Sequence, residues 1–312
     1  MCGRARLSSD VSEIKLVFSI PLERPTPNFP PSWNVAPTDS LPVVRYDAKA
    51  AQRSLDMLRW GLIPYWAKDI KVGVANINAK AEGIESKPAF GKAFERRRCL
   101  VPVDNFYEWK KTESGKQPYA IALADRGIMA LAGLWENWRS PAGEWVRSFA
   151  IITTTPHELC AELHNRMPVV LKPEGWPAWL GEQPATVRDL KALLAPYPSD
   201  DMICWPVSAR VGNVRNNDSS LIEPVAAAQT PGKSINLDDH YVMLLDGFGT
   251  IKLPPCSTSR KPRPPPAGVF YLGEGDAPAH ASRPRPVCRK SGRRSSEFAG
   301  AIHMPAGPFR PI

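Results

Sequence analysis

The chain has 312 residues, of which 43% are hydrophobic and 23% charged, with a formal charge of +9. That length supports a sizeable core, and no run of about 18 apolar residues offers a membrane span. Its polar start lacks the apolar core of a secretory leader, and its six cysteines (Cys2, Cys99, Cys160, Cys204, Cys256 and Cys288) show no paired spacing, so a cytoplasmic protein with reduced thiols is expected.

Residues 9–20 read as a short helix. Asp10 caps it, Glu13 stands three residues on, and Val11, Ile14, Val17 and Phe18 recur at helical spacing. A proline-rich loop at 21–31 leads through Trp33-Asn34-Val35-Ala36-Pro37 to expected strands at 41–46 and 55–62. From 97 to 154 the pattern becomes a meander, with strands at 99–103, 106–111, 117–124, 128–135 and 145–153. The turns Ser114-Gly115, Asp125-Arg126-Gly127 and Ser140-Pro141-Ala142-Gly143 imply antiparallel pairing. Thr155-Pro156-His157-Glu158 reads as a helix start: Thr155 the cap, Pro156 at the first helical position, Glu158 completing a capping box. That helix is expected to end near His164-Asn165. A strand at 167–171, helices at 173–180 and 185–194, a last strand at 202–207 and a turn at 211–214 complete the body. Residues 226–312 are rich in Pro, Arg, Ser and Gly, and only 241–245 pass for a strand. They read as a disordered tail. Most of the positive excess lies in that tail, where it either adds non-specific attraction to nucleic acid or is only solvated. The body is mildly basic, so nucleic-acid binding there rests on a local patch.

Removal of Met1 would give Cys2 a free α-amine (pKa about 7.7–8.0) beside a thiol (about 8.5), both partly nucleophilic near neutral pH. Such a pair is suited to trapping an aldehyde, the amine forming an imine on which the thiol closes a five-membered ring; taken alone, an incidental cysteine near a frayed terminus is the simpler alternative. Asn78 and Lys80 share one face of an extended segment, where an amide can hold a sugar oxygen and an ammonium a phosphate; an ordinary turn with a solvated charge is the alternative. Glu108 lies in an aromatic strand, where a carboxylate needs a partner or a task. It either binds the terminal amine and shuttles protons or is an edge-strand Glu paired with Lys110 or Lys111. His164, at the predicted helix end, is placed either for acid–base work near pH 7 or as a structural cap. Cys160 and His164 lie four apart, but no second pair has ligand spacing, so no metal is expected. Arg210 and Arg215 can reach phosphates or stay solvated. Tyr65-Trp66 offers either a stacking platform for unpaired bases or core.

Taken together, Met1-Cys2-Gly3-Arg4, Asn34-Val35-Ala36-Pro37, Trp60-Gly61-Leu62-Ile63-Pro64, Asn76-Ile77-Asn78-Ala79, Phe106-Tyr107-Glu108-Trp109, His164-Asn165-Arg166-Met167-Pro168 and Val207-Ser208 with Gly212-Asn213-Val214 resemble, in order, the SOS response-associated peptidase family, the abasic-site processing proteins. The resemblance covers residues 1–225. It implies an α+β fold with a curved antiparallel sheet or barrel core and flanking helices. It also implies a DNA-damage protein whose partner is single-stranded DNA containing abasic sites, found at the nucleoid when DNA is damaged. Cys2 would be the covalent nucleophile, Asn78 would position the opened sugar, Glu108 would orient the amine and move protons, and His164 would assist ring opening. Arg4, Lys80 and Arg166 would line the phosphate path, with Asn34, Pro37 and Trp66 also at the DNA. The peptidase label refers to removal of Met1, autocatalytic in this reading, and the imine also allows β-elimination, hence lyase activity. No cofactor is implied, and a monomer is assumed. Lys80 stands where the family often has Arg, which keeps the charge and loses the bidentate fork. Two rivals remain: a cysteine peptidase using Cys2, His164 and Glu108, and a non-covalent single-stranded DNA-binding module.

Overall fold

A computed structural model describes residues 2–113 and 115–226; the expected tail, with its strand at 241–245, lies outside the described residues from 227 on. The chain runs through β1 (Ala5–Leu7), α1 (Val11–Val17), β2 (Ser32–Val35), β3 (Ser40–Asp47) and β4 (Gln52–Trp60). It continues with α2 (Val72–Ala75), β5 (Asn78–Lys80), α3 (Gly91–Arg96), β6 (Arg98–Val103), β7 (Asn105–Thr112), β8 (Gly115–Leu123), β9 (Met129–Arg139) and β10 (Trp145–Thr154). After these come α4 (Glu158–Ala161), β11 (Met167–Pro168), α5 (Trp176–Leu180), α6 (Val187–Ala192) and β12 (Met202–Pro206). Among the described residues no helix is long and apolar enough to cross a membrane.

Five strands close on themselves. β3 pairs with β4 and β6, β6 with β9, and β9 with β10, all antiparallel; β10 then meets β4 in parallel and completes the ring. The far end of β10 also takes β5 in parallel and β11 antiparallel. A second sheet, in the order β12-β8-β7-β1-β2, is antiparallel throughout. The architecture is therefore the α+β barrel and curved sheet that the resemblance implied. Two departures from a plain meander are the parallel pairings of β10 and the placement of β7 and β8 in the second sheet, apart from β6, β9 and β10.

Period-two alternation sorts the barrel residues onto two buried faces. Val43, Val101, Leu131, Phe149 and Ile151 pack in one cluster with Ala5, Phe106 and Ile121 of the second sheet. Their neighbours Val44, Leu100, Ala130, Ala132 and Ala150 pack in another with Ile14, Phe18, Trp176 and Trp179 of the helices. Strands covered on both faces read as continuous apolar runs, which is why 99–103 and 149–152 are so uniformly hydrophobic.

Two predicted helices are shorter than their sequence patterns. Asp10 caps α1 through Ser12 N as expected (2.7 Å), but the helix stops at Val17, where Ser19 turns left-handed (φ 51°) ahead of Pro21. The helix expected over 155–165 is the single turn α4. Its cap is His157, whose Nδ1 accepts from Cys160 N (3.3 Å), because β10 holds the chain extended through Thr154 and leaves Thr155 no room to cap. One turn has too few aligned peptides to act as a dipole, so the helix-end argument for His164 lapses.

Candidate active site

The amino terminus is built into the second sheet. β1 lies between β2 and β7 with Ala5 opposite Phe106, and Tyr107 N donates to Arg4 O (3.0 Å). Continuing that register sets Gly3 opposite Glu108. Cys2 is wholly buried and Glu108 is 5% exposed. β7 is flanked by β1 and β8, so Glu108 is not on an edge strand, and Lys110 pairs with Glu162 instead (3.4 Å). The edge-pair reading of Glu108 is thereby corrected.

The barrel supplies the opposing wall. Asn78 opens β5, in register with Ile151 of β10, and its Nδ2 donates to Cys2 O (2.7 Å). Its Oδ1 is buried and has no partner among the described residues. Three contacts set this placement. Trp60 Nε1 donates to Ile77 O (3.0 Å), Leu62 N donates to Asn76 O (3.1 Å), and Asn76 Nδ2 returns to Leu62 O (3.2 Å). Gly61 makes the crossing possible: its φ of +118° and its approach to Gly73, whose carbonyl oxygen would lie 2.7 Å from a Cβ at Gly61, admit no side chain. His164 follows α4, and its Nδ1 accepts from Arg166 N (3.0 Å). Arg166 holds that loop to the barrel, gripping Glu82 through two bonds (2.6 and 2.9 Å) and donating to Thr153 O at the end of β10.

Burial pushes the Glu108 carboxyl up, while the N-terminal ammonium and the imidazole of His164 pull it the other way. Burial, then the charge of Glu108, pushes the Cys2 thiol well above its ordinary range. Cys160 is pushed up to about 12 by burial, with Cys204 and Glu108 adding to it. The site therefore holds a carboxyl able to carry a proton, an imidazole beside it, an amide on the Cys2 carbonyl and a protonated thiol.

The residues expected at DNA divide into two groups. Lys80 and Trp66 face solvent, Trp66 half exposed beside Tyr65 and Lys80 without an ion pair among the described residues. Pro37 is half-buried just beyond β2. Arg4, Asn34 and Arg166 are engaged within the protein. Arg4 Nη1 donates to Asn34 Oδ1 (2.8 Å) and Val211 O (2.6 Å), and its guanidinium lies 5.9 Å from the Trp109 ring centre. Asn34 is buried and spends its Nδ2 on Asn213 O (3.0 Å) and Asn216 O (2.7 Å). Arg210 turns to Asp218 (2.7 Å). Arg4 and Asn34 thus latch the 207–217 segment onto the sheet. Sequence reasoning missed that latch and the anchoring roles of Trp60, Glu82 and Thr153; the Gly212-Asn213 motif was the available signal, read only as a turn.

Asn34→Leu should cost about 2–4 kcal/mol, because it leaves two carbonyls without their donor and takes an acceptor from the half-buried Arg4 guanidinium. Urea unfolding of this variant beside Pro37→Ala measures it. A loss below about 1 kcal/mol, as for ordinary surface changes, would refute the latch.

These features define an α+β barrel protein with its amino terminus built into a buried acid–base site. The family model described as SOS response associated peptidase (SRAP) matches residues 1–214, and the chain belongs to that family. The abasic site processing protein YoqW of Bacillus subtilis (strain 168) is 42% identical over 224 residues, covering 72% of this chain and 99% of that protein. The abasic site processing protein HMCES of Gallus gallus is 31% identical over 225 residues, covering 62% and 66%. Among solved structures, a protein from Bacteroides thetaiotaomicron shares the fold with a TM-score of 0.65 at 22% identity, covering 72% of this chain and all of that one.

Proposed function

We propose that this protein recognises abasic sites in single-stranded DNA and, once Met1 is removed, captures them covalently through Cys2. The observation that carries this reading is the 2.7 Å bond from Asn78 Nδ2 to Cys2 O, made beside the buried Glu108. It fixes the backbone from which the freed α-amine would project. The names of the relatives YoqW and HMCES, both abasic site processing proteins, support the substrate class.

The opened abasic sugar presents an aldehyde. The α-amine of Cys2 adds to that carbon, and the carbinolamine loses water to give an imine. The thiol then adds to the imine carbon, its proton passing to nitrogen, and a thiazolidine results. Glu108, whose carboxyl burial pushes up, gives a proton to the departing hydroxyl and takes one from the amine. His164 assists ring opening, and Asn78 Oδ1 is free to accept from a sugar hydroxyl. From the imine, loss of the proton next to the former aldehyde carbon expels the 3′-phosphate, which is the lyase branch. The same carboxyl and imidazole help remove Met1 autocatalytically in this reading. Lys80 supplies phosphate attraction and Trp66 a face for an unpaired base. A peptidase acting on other chains fits less well, because a buried thiol pushed upward gives little thiolate.

Mature protein, incubated with single-stranded DNA carrying one abasic site, should give a shifted band on a denaturing gel. Intact DNA should give none, and prior acetylation of the α-amine should abolish the band. A band that survives acetylation would point to the thiol alone, and no band at all with confirmed Met1 removal would overturn the proposal.

A further inference from the structure

On the outer face of the second sheet, away from Cys2, lies a cavity of about 430 Å³ between β1, the start of β7, the turn after β8 and the segment around Ile222. That size is within the range that holds one small ligand. Its lining includes Asn105, 1% exposed, whose Oδ1 is buried without a partner among the described residues. Buried amide oxygens are normally satisfied, so this one marks a place for an N–H donor.

Two guanidiniums flank it. Arg126 lies 3.9 Å from the Trp205 ring centre and has no ion pair among the described residues. Trp205 is itself fixed, its Nε1 donating to Ile222 O (2.8 Å). Arg6 spends only its Nε, on Ser8 Oγ (2.9 Å), which leaves its terminal nitrogens for another acceptor. Asp104, 3.5 Å from Arg6, already takes four bonds from the backbone and hydroxyls of Ser8 and Ser9. It keeps its negative charge and pairs with Arg6 on the Nε side, so what the cavity offers an anion is the terminal nitrogens of Arg6 rather than a net positive field; Glu223 is exposed at the rim.

We propose that this cavity is a nucleotide site. The base stacks on the open face of the Arg126 guanidinium, a ring nitrogen or amine of the base donates to Asn105 Oδ1, and the phosphate takes the terminal nitrogens of Arg6. A planar group, an N–H donor and an anion on one small molecule match what the cavity leaves unused. The site takes a free nucleotide or an unpaired nucleotide of a DNA strand, and it does not depend on chemistry at Cys2.

Calorimetric titration of the full chain tests this with 2′-deoxyadenosine 5′-monophosphate, its analogue lacking the amine, inorganic phosphate and a six-nucleotide deoxyadenylate. Arg126 has a left-handed backbone (φ 62°), so Arg126→Gly removes the guanidinium while suiting the turn. Saturable binding of the monophosphate, weakened at least about tenfold by Arg126→Gly and by Arg6→Gln and about tenfold for the amine-less analogue, supports the site. Tighter binding of the hexamer that Arg126→Gly weakens in the same way assigns the DNA strand as the source, and equal binding assigns the free nucleotide. Phosphate binding as tightly as the nucleotide, no saturation, or Arg126→Gly binding like wild type would overturn the proposal. Capture of abasic DNA through Cys2 should be unchanged in Arg126→Gly, so the two readings fail separately.

Discussion

Cys2→Ala and Cys2→Ser are both expected to lose the denaturant-stable product with abasic DNA and to leave a weak product that only borohydride reduction preserves. Both variants keep the α-amine, so they still form the imine, and an imine in water hydrolyses readily. What the thiol adds is ring closure within one residue, where effective molarities reach about 10⁵–10⁸ M, so durability and not initial capture depends on sulfur. The structure gives this order a reason. Burial and the nearby Glu108 keep the thiol protonated, so the amine is the better first nucleophile. The thiol becomes competent once the imine carbon lies next to it and its proton has a nitrogen to go to. Gel analysis with and without borohydride, on protein whose Met1 removal is verified by mass, reads both steps. A wild-type yield of stable product from Cys2→Ala would refute covalent capture at this residue.

How much of this was legible in the sequence depends on what each residue's surroundings owe to its neighbours in the chain. The strands of the meander could be read because each carries its own period and turn chemistry, and β6 to β10 lie within a few residues of the expected ranges. Glu108 could be singled out because a carboxylate among aromatics is locally anomalous. That it is interior rather than at an edge depends on β1 arriving from a hundred residues earlier to pair with β7, which no local pattern encodes. Asn34 shows the same limit. Its amide looks like any exposed polar group until the 207–217 segment, about 180 residues on, brings two carbonyls to it. The helix at 155–165 failed for the opposite reason: its local signals were good, but β10 pairing held the cap position extended.

Glu108→Gln should slow capture of abasic DNA by about 10²–10⁴-fold, the usual worth of a positioned proton-transfer group, while leaving the fold intact. The same substitution should change how stability depends on pH. Burial raises the Glu108 carboxyl, so above the ordinary carboxylate range the native state still holds a proton that the unfolded chain has lost. The native state then binds more protons than the unfolded state, and stability falls as pH rises through that window. Above the raised pKa the penalty is complete and constant; below the ordinary range both states are protonated and it vanishes. Glutamine does not titrate, so its advantage over wild type should be smallest near pH 4, grow as pH rises and then level off. Urea midpoints for the two proteins at a series of pH values from 4 to 8 measure this, and parallel profiles would show that Glu108 carries no raised pKa. If both results hold, one buried carboxyl costs the fold stability at working pH and supplies the proton the chemistry needs. That conflict is the mark of a group retained for reaction, since a glutamine of the same shape would fill the strand as well.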